Sequence, residues 1–207
     1  MMNEGLTTAA KNKQKVFSTK AIAKIGILSA LAALLMLLDF PLFFAPFFYK
    51  LDFSEVMVLL GAFSMGPVAG IIIEAIKILL NFVLNGTDTA GIGEISNFLI
   101  GCSFVVPAAI IYQRNKVRSS AILGMVAGTI AMTIIGAIMN YYVLIPVYSK
   151  FMPLDKIIAL GTEVNPAITT MESLILLATT PFNILKGIVS SIIAFLLYKR
   201  VSGLLHS

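Results

Sequence analysis

The chain has 207 residues, of which 58% are hydrophobic and only 12% charged, with a mean hydropathy of +0.97. Soluble domains run to about 45–50% apolar and about 25% charged residues, so this composition excludes a soluble globule and indicates an all-α integral membrane protein. The net charge of +5, from 15 basic and 10 acidic residues, would suggest a nucleic-acid partner in a soluble protein; here it reads as membrane topology, and no nucleic acid is required.

Residues 1–20, with Lys11, Lys13, Lys15 and Lys20, read as a basic cytoplasmic tail. Ala30-Leu31-Ala32 resembles a signal-peptide cleavage site, but the apolar run continues through Leu38, so a retained first span is expected over about Ala21–Leu38. Pro41 and Pro46 then prevent a continuous helix, and the Phe-rich stretch from Asp39 to Lys50 suits an interfacial or re-entrant loop. Span 2, Phe53–Met65, is short and ends at the Gly66-Pro67 turn; span 3 covers Val68–Leu84 and stops at Asn85-Gly86-Thr87-Asp88. Span 4 is about Gly93–Tyr112, followed by the basic loop of Arg114, Lys116 and Arg118, and span 5 is about Ala121–Ile145. A polar connection, Pro146–Glu172, leads to span 6, about Ser173–Tyr198.

With the N-terminus inside, the cytoplasmic segments hold Lys11, Lys13, Lys15, Lys20, Lys24, Arg114, Lys116, Arg118, Lys199 and Arg200, which is 10 of the 15 cations. The outside loops hold only Lys50, Lys150 and Lys156. This asymmetry predicts six transmembrane helices with both termini cytoplasmic: a single membrane domain over 21–200, flanked by the basic tail and by a short cytoplasmic tail, 201–207.

Charged and amide side chains inside the spans are costly and mark function. Glu74, Lys77 and Asn81 share one face of span 3. Glu74 and Lys77 are either an internal ion pair joining two helices or a functional site. Asn183 and Lys186 share a face of span 6, just after Pro181, which is expected to kink the helix and free a carbonyl. No acid lies within one turn of Lys186, so it needs an acceptor: Asn183, a carbonyl from another helix or a ligand oxygen. Asn97 and Asn140 sit near the outer ends of spans 4 and 5. Amides present both donors and acceptors, so several of them with one Lys, under aromatic loops, describe an outward-opening pocket for a neutral, polyfunctional solute.

Other chemistries lack their groups. Cys102 is the lone cysteine and His206 the lone histidine, so there is no disulfide, no metal-ligand set and no Ser-His or Cys-His catalytic pair. No catalytic residue is assigned. The chain has no phosphate-binding Gly-Lys-Ser/Thr loop and no room for an ATPase domain, so active uptake would need a partner or an ion gradient. Small residues spaced four apart, Gly26 with Ala30 and Ser29 with Ala33 on span 1, and Gly124 with Gly128 on span 5, allow close helix approach.

Five segments, in order, carry a family resemblance: Lys50-Leu51-Asp52-Phe53-Ser54-Glu55; the Gly66-Pro67 turn with Gly70; Gly93-Glu94-Ile95-Ser96-Asn97-Phe98; Ala137-Ile138-Met139-Asn140-Tyr141-Tyr142; and Pro181-Phe182-Asn183-Ile184-Leu185-Lys186-Gly187. The chain resembles the riboflavin-specific substrate-binding (S) components of energy-coupling factor (ECF) transporters, from span 1 to span 6. The resemblance implies a multi-pass protein of the cell membrane that takes riboflavin from outside as transported ligand, with no cofactor. It also implies a transmembrane T component and two ATPase subunits as partners, with helix 1 docking on the T component through Gly26, Ser29, Ala30 and Ala33. Asn140, Asn183 and Lys186 are expected to meet the polar edges and hydroxyls of riboflavin, with Asn97, Gly86 and Thr87 contributing, and Leu38, Phe40 and Tyr142 flanking its ring. The alternatives are an S component for another vitamin and a self-sufficient carrier coupled to protons through Glu74.

Overall fold

The structure is a computed structural model that describes residues 18–87 and 90–206, with side chains as far as Tyr198. Residues 1–17 of the expected basic tail, and the side chains of Lys199 and Arg200, lie outside the described residues.

Helix α1, Thr19–Leu37, starts where the Ser18 hydroxyl accepts the Ala21 N–H at 3.2 Å. Beyond it the two ends of the Phe-rich loop pair as a small antiparallel hairpin, β1 (Phe40–Pro41) with β2 (Lys50–Leu51). Helix α2 is Ser54–Met65. Gly66, at φ +100°, turns the chain directly into α3, Pro67–Asn85, whose first position takes the proline because no helical N–H is needed there. Helix α4 is Ile92–Arg114 and α5 begins at Arg118 and runs to Met139. Gly124 and Gly128 let α5 lie against the α4 backbone: a Cβ at Gly124 would stand 2.6 Å from the Ala108 carbonyl, and one at Gly128 would strike that of Phe104. This small-residue pair therefore serves packing within the chain.

Two helices loosen into π turns. Helix α5 continues through a π turn at Asn140–Leu144 into Ile145–Tyr148. Helix α7 opens as Met171–Leu174, widens at Ile175–Thr179 and continues as Thr180–His206. Its start is fixed by a capping box in which the Thr170 hydroxyl accepts the Ser173 N–H and the Ser173 hydroxyl accepts the Thr170 N–H. Each π turn precedes a proline by two residues, Pro146 and Pro181. The carbonyls that those prolines cannot bond, four residues back at Tyr142 and Leu177, fall inside the wide turns, which absorb the mismatch.

Three sequence expectations change. First, among the described residues five helices are long and apolar enough to cross a membrane: Thr19–Leu37, Pro67–Asn85, Ile92–Arg114, Arg118–Tyr148 and Met171–Tyr198. The expected second span is the 12-residue α2, about 18 Å long against a hydrocarbon core of about 30 Å. Second, the polar connection after Tyr148 contains an amphipathic helix, α6, Leu154–Val164, which buries Ile157 and Gly161. Leu154, Ile157, Ile158 and Gly161 carry the helical spacing that the surrounding polar residues obscured. Third, α7 runs past the expected end of span 6 near Tyr198 and continues to His206.

The apolar interior forms two layers. One, around Leu59, Phe63, Ile73, Phe104 and Met132, joins α1 to α5 and the end of α7. The other, around Tyr49, Leu51, Ile145, Ile157, Ile168 and Phe182, is built from the hairpin loop, α6 and the two π-turn regions. The polar site lies where the second layer meets the helices.

Candidate functional site

A cavity of about 410 Å³ opens among β2, the loop after α3, the first turns of α4, the α5 π turn and α7. Its wall brings together Asn81, Asn85, Gly86, Thr87, Asn97, Asn140, Asn183 and Lys186, each singled out in the sequence, and adds Tyr49 and Asp52. Phe48, Tyr148 and Phe182 supply the aromatic surface.

The asparagines are held by their own helices. The Asn140 Nδ2 donates to the Gly136 carbonyl at 2.8 Å and the Asn183 Nδ2 to the Thr179 carbonyl at 3.0 Å. Both acceptors sit four residues back, and both asparagines line the cavity. Gly136 is required by this arrangement, because a Cβ there would stand 2.6 Å from the Asn183 Nδ2. The Tyr49 hydroxyl bridges the two π turns, donating to Asn140 Oδ1 at 2.9 Å and sharing a 2.6 Å bond with the Thr179 hydroxyl. Its ring packs 5.3 Å from that of Phe182. The hairpin loop is thereby fastened to both helices at the cavity wall. Thr87 is tied through its hydroxyl to Glu94 Oε2 and to the Gly91 N–H, each at 3.1 Å, which fixes the loop at the start of α4.

The acceptor that Lys186 requires is Asp52. The Lys186 Nζ lies 2.9 Å from Asp52 Oδ2, across 134 positions of sequence. The other carboxylate oxygen accepts the Ser54 N–H at 2.8 Å, at the start of α2, where the helix dipole favours an anion. Burial pushes the Asp52 carboxyl up, but Lys186, Lys77 and the Ser54 hydrogen bond outweigh it and hold it at about 2. The pair is therefore ionic. An ammonium has three donors, and Asp52 takes one, so Lys186 retains N–H groups toward the cavity.

Glu74 and Lys77 do form an ion pair, at 2.7 Å, and a second carboxylate, Glu55 of α2, joins them at 2.9 Å from Lys77. All three side chains are sealed from solvent, and Gly101 of α4 leaves room for them: a Cβ there would sit 2.7 Å from Glu74 Cδ. This cluster ties α2 to α3 against the face of α4 at Gly101, one turn of α3 away from Asn81.

Three ring-flanking expectations do not reach the cavity. Leu38 and Tyr142 are 68% and 71% exposed, and Phe40 packs on Phe53. Leu38 lies past the end of α1, and Tyr142, two residues after Asn140, points to the opposite side of the helix. On α1 the small residues split: Gly26 and Ala30 are exposed, but Ser29 and Ala33 are buried, with the Ser29 hydroxyl bonded to the Ile25 carbonyl. Ser29 and Ala33 are thus core residues. Sequence reasoning missed Tyr49, Asp52, Glu55 and Gly136. Asp52 and Glu55 stood within a quoted segment, but their partners are 134 and 22 positions away.

Helices with a mixed polar and aromatic cavity at one end of an apolar bundle define a membrane protein that holds a solute. Residues 20–198 match the family model for the ECF transporter substrate-specific component. The chain is 38% identical over 195 residues to the riboflavin transporter RibU of Staphylococcus aureus (strain TCH60), covering 94% of this chain and 97% of that one. It is 32% identical over 186 residues to the riboflavin transporter FmnP of Bacillus subtilis (strain 168), covering 88% and 92%. A solved S component of a bacterial ECF transporter superposes with a TM-score of 0.70 at 37% identity, covering 91% of this chain and 98% of that chain. The chain belongs to the substrate-specific components of ECF transporters, and is a transport subunit, not an enzyme.

Proposed function

We propose that this chain is the riboflavin-capturing subunit of an ECF transporter in the cell membrane. It takes the vitamin from outside and delivers it together with a T component and two ATPase subunits. The observation that carries the reading is the convergence of Asn140, Asn183 and Lys186 on one cavity of about 410 Å³. Relatives described as riboflavin transporters, over nearly the whole chain, support it.

Riboflavin is uncharged, with a flat tricycle and a polyhydroxylated side chain. The two amides and the Lys186 ammonium match carbonyl and hydroxyl groups, and Phe48, Tyr148 and Phe182 offer faces to the ring. In this reading α2 completes a sixth crossing. Most of its residues are buried, and a short helix sheathed by protein does not have to match the lipid thickness alone. The cavity opens near Glu94 at one end of α4, and Arg114, Lys116 and Arg118 lie at the other end. The positive-inside rule then turns the cavity outward and both termini inward. Exposed Gly26 and Ala30 supply a small-residue stripe on α1 for the T component.

The test is a fluorescence titration. Purified protein should arrive yellow from a flavin-containing host and, once stripped, quench added riboflavin at one equivalent. Colourless protein with no quenching rejects the reading.

A further inference from the structure

The end of the bundle away from the cavity carries a second pocket. Tyr112, Lys116, Arg118 and Tyr198 line a volume of about 420 Å³ between the end of α4, the start of α5 and α7. Its floor is aromatic: the Phe63 ring lies 4.6 Å from Tyr112 and 5.8 Å from Tyr198. Phe195 and Leu196 border this pocket and also a groove of about 630 Å³ that follows α5 and α7 toward mid-bundle, as far as Ile134 and Ile184. The groove is apolar except for the hydroxyls of Thr129, Thr133 and Ser191. Its two threonines turn inward on their own helix, Thr129 to the Met125 carbonyl and Thr133 to the Thr129 carbonyl, each at 2.8 Å. Its rims, Ile122, Val126, Ile130 and Ile192, are at least half exposed on the surface that faces the bilayer.

We propose that this joined pocket and groove hold one anionic phospholipid. Its phosphate lies between Lys116 and Arg118, and one acyl chain lies along the α5–α7 groove. Two observations meet here. Neither Lys116 nor Arg118 has an ion-pair partner among the described residues, and a basic pocket at a helix end attracts an anionic headgroup. The groove begins at that same pocket and descends into the hydrocarbon layer, where an acyl chain is the matching occupant. A zwitterionic lipid offers the same chains, but its own cation offsets the phosphate charge, so a headgroup preference marks this site.

The test uses the full chain, stripped of co-purified lipid in mild detergent and titrated with dioleoylphosphatidylglycerol or dioleoylphosphatidylcholine under native mass spectrometry. One phosphatidylglycerol should be retained, at about ten-fold lower lipid concentration than phosphatidylcholine. K116Q/R118Q should erase that preference; both side chains are exposed, so helical circular dichroism and elution volume should match the wild type. Ile188→Trp, which fills the groove from its exposed rim, should lower phosphatidylglycerol retention by a similar factor. Equal retention of the two lipids overturns the proposal. So does a preference that survives K116Q/R118Q, or undiminished phosphatidylglycerol retention by Ile188→Trp, which would reduce the site to a surface cation pair. Retention of neither lipid, leaving the groove to a partner's helix, overturns it as well.

Discussion

Two buried lysines in this bundle sit in opposite circumstances. Lys77 lies between Glu55 and Glu74, with all three side chains at most 1% exposed and none of them lining the cavity of the candidate site. Lys186 meets the single carboxylate Asp52 at 2.9 Å and borders the cavity. Each is a cation inside a membrane bundle, and each would be flagged as functional on burial alone. The difference lies in saturation and access. Lys77 is enclosed by the carboxyl groups of Glu55 and Glu74 and joins helices, whereas Lys186 keeps donors facing a space that a solute can enter. On the proposed function, partner count and accessibility, more than burial, separate the structural charge, Lys77, from the binding one, Lys186.

The largest effect that would sharpen this contrast is on stability. Lys77→Met strands two carboxylates in the bundle, and should destabilise by about 3–5 kcal/mol, read as a sharply lowered melting temperature in detergent. A near-wild-type melt would show that the cluster is not structural. Lys186→Met should act mainly on ligand, weakening riboflavin by roughly 1–3 kcal/mol, or about 5–150-fold, because a buried hydrogen bond is lost. Adding Asp52→Asn should recover any stability lost in Lys186→Met without restoring affinity. If the double variant binds as the wild type does, Lys186 is outside the site. Asn183→Ala should cost binding within the same range of about 1–3 kcal/mol, and a larger effect on melting than on affinity would move Asn183 to the structural group.

The pH response is expected to be small. Asp52 titrates at about 2, below its ordinary 3.8. A lowered carboxyl contributes stability that is fully present above the unfolded value and lost as pH falls through the folded one. Between about pH 5 and pH 8 the Asp52–Lys186 pair should therefore leave melting and affinity flat, with losses only in strong acid. A step in affinity near neutral pH would contradict an ionic pair. Smallest of all, Leu38→Ala and Tyr142→Ala should change flavin affinity by no more than about 0.5 kcal/mol, since neither side chain borders the cavity.

Much of this was legible in the sequence because hydrophobic run length and turn chemistry are local signals. The long helices fall close to the apolar runs, and the Gly66-Pro67 turn is where Pro and Gly placed it. Asn140, Asn183 and Lys186 stood out because amides and ammonium groups are rare in apolar helices. What stayed hidden is nonlocal or depends on helix phase. Asp52 could not be matched to Lys186 across 134 positions. Asn140 and Tyr142 fall on opposite sides of α5, but nothing local in the sequence says which of the two faces the cavity. Tyr49 hid in a loop of aromatic residues, where nothing in the sequence distinguishes the ring that bridges two helices from those facing lipid. Helix α6 was masked by the polar residues on its outer face.

The central claim is that the cavity under the hairpin loop is a riboflavin site with Lys186 as a direct contact. Parallel fluorescence titrations of stripped wild type and Lys186→Met, on samples matched for helicity, test it most directly. One equivalent of riboflavin should quench on the wild type, with affinity weakened about 5–150-fold in the variant. Equal affinity in both proteins, or no quenching by the wild type, would contradict the account.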